Sequence, residues 1–214
     1  DLRAWLAVAG GFDVPVVLGS RSTDLRGGFG GLDGRALREG DALPIGHAPG
    51  DAVAAGASAP QAPGWWIDLD ADVPRTAPIR VAPACADAAA ALDGSRWTID
   101  PRSDRQGLRC AGDPLTVTSP EQVSAAVAPG TVQLPPDGHP IVLLADAQTV
   151  GGYPRLGHVV AADLARLAQL RAGDALRFVA VSQAQAQAAL RQRAARIARL
   201  EWAIDRARHR EARP

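Results

Sequence analysis

The chain has 214 residues, 47% of them hydrophobic, and its 23 basic and 23 acidic residues cancel to a formal net charge of zero. That is enough chain to bury a core, as one large domain or two small ones, and the charge balance leaves no footprint for nucleic acid. No apolar run reaches the ~18 residues of a membrane span, and DLRAWLAVAGG lacks the layout of a signal peptide, so a soluble, cytoplasmic protein is expected.

Residues 3–9, RAWLAVA, predict a buried strand closed by Gly10-Gly11. A glycine-rich loop over 19–46 leads through Arg38-Glu39-Gly40-Asp41 into a strand start at Ala42-Leu43. Residues 47–64 have the Ala/Pro/Gly/Ser composition of a linker. The chain thus divides into 1–46, the remainder of a first β lobe; the linker; 65–182, a second β-barrel lobe; and 183–214, a C-terminal helix.

In the second lobe WWIDLDAD, IRVAP, RWTID and LTVT predict strands, and ADAAAALDG a short helix. TVQLPPDGHPIVLL predicts a hairpin: proline presets φ, Asp137 caps the turn and Gly138 supplies a positive φ. DLARLAQL predicts a short helix N-capped by Asp163, and ALRFVAVS a closing strand. Short strands with frequent turns indicate a mainly β fold of barrel type. From Gln183 the chain becomes an amphipathic helix. Leu190, Ile197 and Ile204 recur every seven residues, with Leu200 and Ala207 between them, opposite a face of seven arginines. That helix either docks a partner or packs on its own barrel.

Two segments echo each other. Gly10–Leu43 and Gly151–Leu176 both run Gly-Gly, aromatic, Pro, Leu-Gly, Asp-Leu, then Arg-x-Gly-Asp-Ala-Leu. The echo predicts two related lobes, the first incomplete, with the site in a cleft where the two Gly-Gly loops face each other.

What the chain lacks also constrains its chemistry. Every basic residue is arginine, so no P-loop lysine, Schiff-base lysine or lysine-borne biotinyl arm is available. Without methionine, and opening inside an apolar run, the chain is expected to be a fragment of a longer protein. Cys85 and Cys110 are expected to be small buried hydrophobes, and four scattered histidines form no zinc spacing. No Ser-His-Asp or Cys-His arrangement is legible.

Three stretches carry candidate chemistry. Ser20, Arg21, Ser22, Thr23 and Arg26 combine hydroxyls, guanidinium groups and loop amides into an anion nest, or else a capped turn. In LLADAQTVGGYP, Asp146 is the candidate general base, Gln148 and Thr149 can hydrogen-bond an amide, and Gly151-Gly152 admits a ligand close to the backbone beside Tyr153. Ser103-Asp104-Arg105-Gln106-Gly107 is either a turn or the delivery of Arg105 to the same cleft.

These stretches together carry a resemblance. GSRSTDLRGGFGGLDGRALREGDAL, SDRQGLR, TVQLPPDGHPIVLLADAQTVGGYP and AADLARLAQLRAGDALRF resemble the allophanate hydrolase subunit 2 family, also called KipA-like or biotin-dependent carboxyltransferase, over residues 3 to about 186. The family includes the C-type subunit of bacterial 5-oxoprolinase, which the chain resembles most. The resemblance implies cyclophilin-like β-barrel lobes and a KipI-like or subunit 1 partner. It also implies a LamB/YcsF-type subunit and ATP bound by the assembly, opening the lactam of 5-oxoproline to glutamate. It admits two alternatives, a carboxyltransferase that meets biotin on another chain and a non-catalytic KipA-like regulator of a kinase inhibitor. It adds Gln133, in the QLPPDG segment, to the substrate-binding candidates, with Asp146, Gln148 and Thr149 as the catalytic ones. The family's Arg-Met-Gly-Tyr-Arg-Leu reads Arg105-Gln106-Gly107-Leu108-Arg109-Cys110 here, and the basic tail helix is expected to lie beyond the shared region.

Overall fold

The structure is a computed structural model that describes residue 3 and residues 5–47, 76–116 and 123–211. It forms two compact units, one of Ala4–Ile67 and one of Asp1–Arg3 with Asp68–Pro214.

The second unit is built on a closed barrel. In chain order its elements are β1 (Ile79–Pro83), α1 (Ala86–Leu92), β2 (Arg96–Ile99), β3 (Gly107–Ala111), β4 (Ala125–Ala126), β5 (Thr131–Gln133), β6 (Ile141–Leu143), β7 (Val150–Gly151) and β8 (Arg155–Val159). A 3-10 turn (Ala161–Asp163), α2 (Leu164–Leu167), β9 (Ala175–Ala180) and α3 (Gln183–Glu211) complete it. Seven strands close in the order β1-β8-β5-β6-β3-β2-β9, while β4 and β7 form a separate two-stranded ribbon. Only β1 and β9 run parallel, Ile79 opposite Phe178.

The strands follow their side-chain pattern. β2 and β9 alternate exposed and buried residues, sending Trp97, Ile99, Leu176 and Phe178 inward. These meet Val81, Leu108, Cys110, Val132, Val142 and Leu156 in one core, with Leu92 of α1 and Leu167 of α2 packed into it. Burial of such side chains contributes ~1.5–3 kcal/mol each before chain entropy is subtracted. The β5–β6 hairpin forms at the expected turn, where the Gly138 amide donates to Pro135 O at 3.0 Å.

Several expectations are corrected. Residues 5–8 of RAWLAVA form no strand, and Trp5 is fully exposed. Apolar content predicts burial only where a neighbouring strand or sheet receives it. The first unit, expected as a β lobe, holds among its described residues only isolated bridges, Phe12–Ile45, Val17–Ser20 and Asp24–Phe29. Leu115 and Thr116 are not in a strand, the rest of LTVT and WWIDLDAD lies outside the described residues, and so do residues 48–64 of the expected linker. Cys85, expected buried, is exposed. Asp163 occupies the N-cap position of α2 without capping it, because its carboxylate is turned toward Arg80.

α3 forms as expected and is seated by Ala186 and Ala189 against Val160, Ala162 and Val181, small residues that allow close approach. The predicted seam stays partly open, with Leu190 41% and Ile197 36% exposed. The helix starts with a capping box that the sequence reading passed over. The Gln185 amide donates to Ser182 Oγ at 3.2 Å, and the Ser182 amide to Gln185 Oε1 at 2.8 Å.

Candidate functional site

In the barrel unit, the turn 103–107 lies beside the loop that follows β6. The Leu144 amide donates to Gln106 O at 2.9 Å and the Asp146 amide to Arg105 O at 3.2 Å. Asp104 Oδ1 accepts from the Gln106 and Gly107 amides, so the turn is closed by its own carboxylate and presents Arg105 outward. Arg105 then grips Asp146, with Nε 2.7 Å from Oδ2 and an NH2 nitrogen 3.3 Å from Oδ1. The segment is a turn, and it sets Arg105 against Asp146.

Gln148, Thr149 and Tyr153 are exposed. Thr149 contributes its carbonyl, which accepts from the Val127 amide and leads the chain into β7 against β4. Beneath that ribbon lies Gln133, the last residue of β5, only 2% exposed. Its side-chain amide nitrogen has no hydrogen-bond partner among the described residues. Gly151 passes directly over it, and a Cβ at Gly151 would lie 2.5 Å from Gln133 Nε2. A Cβ at Gly152 would stand 3.3 Å from Ser124 Oγ. The pairs that the structure brings together are therefore Gln133 with Gly151, and Arg105 with Asp146.

A buried primary amide with an unmade bond costs ~1–3 kcal/mol, which makes Gln133 the most chemically informative residue of the set. Its donor suits a carbonyl oxygen, and Gly151 keeps the space above it narrow. Thr131, two residues earlier on β5, points its hydroxyl at His158 Nδ1, 3.5 Å away. Burial lowers the His158 pKa, which favours the neutral imidazole. Sequence reasoning passed over Thr131, and its pairing with His158 across β8 is visible only once the register is known.

In the first unit, a cleft of about 660 Å³ is lined by Gly10 to Val14, Arg21, Ser22, Gly46 and His47. Arg21 donates from Nε to Val14 O at 3.1 Å and lies 3.5 Å from Asp13. The remaining members of the predicted nest serve the turn instead. Ser20 Oγ accepts the Ser22 amide, and the Asp24 carboxylate accepts the amides of Arg26 and Gly27. Thr23 Oγ1 packs so tightly on Gly31 that a Cβ there would overlap it. Of the predicted nest, Arg21 and Ser22 line the cleft together with Asp13 and His47, while Ser20, Thr23 and Arg26 do not line it. Among the described residues no cluster of His, Cys, Asp or Glu is placed to hold a metal ion.

Known proteins share both the sequence and the fold. The family model "carboxyltransferase domain, subdomain A and B" matches residues 1–180. The C-type subunit of 5-oxoprolinase from Escherichia coli K12 is 39% identical over 204 residues, covering 95% of this chain and 64% of that protein. The Haemophilus influenzae protein of the same name is 38% identical over 192 residues, covering 86% and 58%. The chain thus spans less than two thirds of the length of either relative. Because 95% of the chain aligns with the Escherichia coli protein, the similarity extends into α3, which the sequence reading placed outside the shared region. The solved structure of TTHA0988 superposes with a TM-score of 0.60 at 35% identity, over 81% of this chain and 32% of that one.

Proposed function

The chain belongs to the family of carboxyltransferase domains, subdomains A and B, and on that premise we propose that it serves in a 5-oxoprolinase, an assembly that opens the lactam of 5-oxoproline to glutamate with ATP. The observation that carries this reading is the 39% identity with the C-type subunit of 5-oxoprolinase across 95% of the chain. The partners in this proposal are a KipI-like subunit and a LamB/YcsF-type subunit, working with the chain in the cytoplasm.

A nucleotide does not fit a P-loop in this chain. There is no lysine, and the amides of Arg26, Gly27, Gly28 and Phe29 are bonded to Asp24. We therefore assign ATP to the assembly and route no step of this chain through it. The proposed roles are those of polar positioning. Gln133 Nε2 donates to the lactam carbonyl oxygen once the β4–β7 ribbon admits substrate past Gly151. Such a donor favours the charge that develops on that oxygen. Asp146, held in orientation by Arg105, accepts from the attacking water, and Gln148 and Thr149 supply further hydrogen bonds at the rim with Gly152 and Tyr153. In the first unit Arg21, assisted by Ser22, is the candidate for a carboxylate.

The test is reconstitution of the full-length protein with its neighbouring subunits, reading 5-oxoproline-dependent ATP hydrolysis against glutamate release. Coupled turnover that falls at least tenfold in Gln133→Leu and in Asp146→Ala supports the reading. Undiminished turnover in both variants removes these residues from the chemistry, and absence of 5-oxoproline turnover removes the activity. The matched family is described by carboxyl transfer, and that favours a second reading in which the chain meets carboxybiotin borne by a partner. Bicarbonate- and biotin-dependent turnover in the same reconstitution would select it.

A further inference from the structure

Where β5 pairs with β8 the ladder slips by one residue. Thr131 stands opposite His158 and Val132 opposite Gly157, but Gln133 stands opposite Arg155. An unbroken register would set Gln133 against Leu156, which is instead 1% exposed in the core. The Leu134 amide donates to Pro154 O at 2.8 Å, so pairing resumes directly beyond the bulge. Bulges bend a strand and re-aim its side chains. This one sets an exposed arginine across the ladder from the buried Gln133.

The two residues differ in burial and charge, and the difference orients a ligand. Gln133 Nε2 is buried and lacks a hydrogen-bond partner among the described residues. A Cβ on Gly151 would stand 2.5 Å from that nitrogen and 3.5 Å from a methyl of Val127, so the roof over the amide is backbone and hydrocarbon. A carboxylate placed there would be buried without a counter-charge, whereas a neutral carbonyl oxygen supplies the missing acceptor. Arg155 lies on the solvent side, where a guanidinium fork holds a carboxylate that keeps part of its hydration. The roof itself is short, pairing Ala125 with Gly151 and Ala126 with Val150. So small a ribbon is the least costly part of the unit to lift.

We propose that Gln133 and Arg155 form one binding site for a small ring that bears a carbonyl and a carboxylate. The carbonyl oxygen accepts from Gln133 Nε2, and the carboxylate accepts from the Arg155 guanidinium. The assignment rests on the lactam reading, since 5-oxoproline carries these groups on the ring carbons that flank its nitrogen. Cross-strand Cβ atoms lie ~4.5–5.5 Å apart, a span of the same size. Arg155 then sets specificity, because it distinguishes 5-oxoproline from the same ring without a carboxylate. Arg21, in the other compact unit, is the competing anchor for that carboxylate, and the test separates the two.

The experiment is calorimetric titration of the full-length protein, without ATP, with 5-oxoproline and with 2-pyrrolidinone, the ring that lacks the carboxylate. Saturable binding of 5-oxoproline, at least tenfold tighter than 2-pyrrolidinone, is expected. Arg155→Gln should weaken 5-oxoproline at least tenfold and leave 2-pyrrolidinone unchanged, and Arg155→Lys should restore part of the loss. Gln133→Leu should weaken both ligands, while Arg21→Ser should bind both as the parent does. Urea midpoints establish that each variant is folded. Failure of 5-oxoproline to bind overturns the proposal, and so does binding that is unchanged in Arg155→Gln or lost only in Arg21→Ser. Turnover is a separate reading. An assembly that opens the lactam while Arg155→Gln binds normally keeps the activity and loses this anchor. An inactive assembly whose chain retains the Arg155-dependent preference keeps the anchor and loses the activity.

Discussion

Gly151 and Gln133 occupy space that a single methyl group would dispute, since a Cβ on Gly151 would stand 2.5 Å from the Gln133 amide nitrogen. The Gly151 backbone is not in the left-handed region, so alanine meets no conformational penalty there and the whole cost falls on the contact. Gly151→Ala should destabilise the barrel unit by ~1–3 kcal/mol, the range for overpacking. Adding Gln133→Ala should recover part of that loss. A double-mutant cycle by urea denaturation measures the coupling, and additive losses would show that the two residues do not press on each other.

Gln133 itself should separate stability from function. Its amide nitrogen is buried without a partner among the described residues, so Gln133→Met removes an unmade hydrogen bond while keeping most of the volume. The variant should be as stable as the parent or up to ~1 kcal/mol more so. In the reconstituted assembly, turnover should fall at least tenfold. Loss of stability together with retained turnover would make Gln133 a structural residue only.

The internal echo was legible as sequence and is realised most closely near its end, in the Arg-x-Gly-Asp segment. Arg38 to Asp41 and Arg171 to Asp174 form the same turn. Gly40 has φ of 89° and Gly173 87°. In each, the aspartate carboxylate accepts the arginine amide, at 2.7 and 2.8 Å. Gly10 and Gly11 have positive φ whereas Gly151 and Gly152 do not, so the first part of the echo is shared in letters and not in backbone. Gly173→Ala should therefore cost ~1–2 kcal/mol in urea denaturation, several times the effect of an alanine at an ordinary turn glycine with negative φ. An unchanged midpoint would show that the turn relaxes freely.

The barrel's strands and hairpin were readable because alternation, β-branched residues and turn chemistry agree locally. The site was less so. Gln133 sits in a three-residue strand whose side chains are all buried, so its polarity gave no sign that it faces inward. Asp163 reads as an N-cap from sequence, and only the β1 register shows that Arg80, 83 residues away, takes its carboxylate. Local rules propose local partners, and a long-range arginine outcompetes the amides of one short helix.

The two thiols should differ in reactivity by their surroundings. Burial pushes the Cys110 thiol up to about 12, while Cys85 is exposed. At pH 8 a chromogenic disulfide reagent should titrate one thiol in the native chain and two in denaturant. Because the folded value lies above the unfolded one, this burial favours folding below about pH 9 and the benefit declines as the pH rises beyond it. Rapid reaction of both thiols in the native chain would place Cys110 outside the core.

Asp163 carries the corresponding prediction at acid pH. Burial alone would raise its pKa. The Arg80 guanidinium and amide, aided by the charge of Arg166, outweigh that and hold it below the usual carboxylate value. A lowered folded pKa means that the unfolded chain takes up the proton first. The stabilisation is therefore complete above roughly pH 4–5 and is lost as the pH falls through the folded value. Asp163→Asn keeps the shape but leaves two guanidinium groups without their counter-charge. Breaking a buried pair costs ~3–5 kcal/mol, but the Arg80 side chain is 36% exposed and water offsets part of its loss, so about 2–3 kcal/mol is expected at pH 7. The difference between parent and variant should shrink steadily from pH 5 to pH 2, as measured by urea midpoints across that range. Two parallel pH curves would mean that the Asp163 carboxylate contributes through its shape and not its charge.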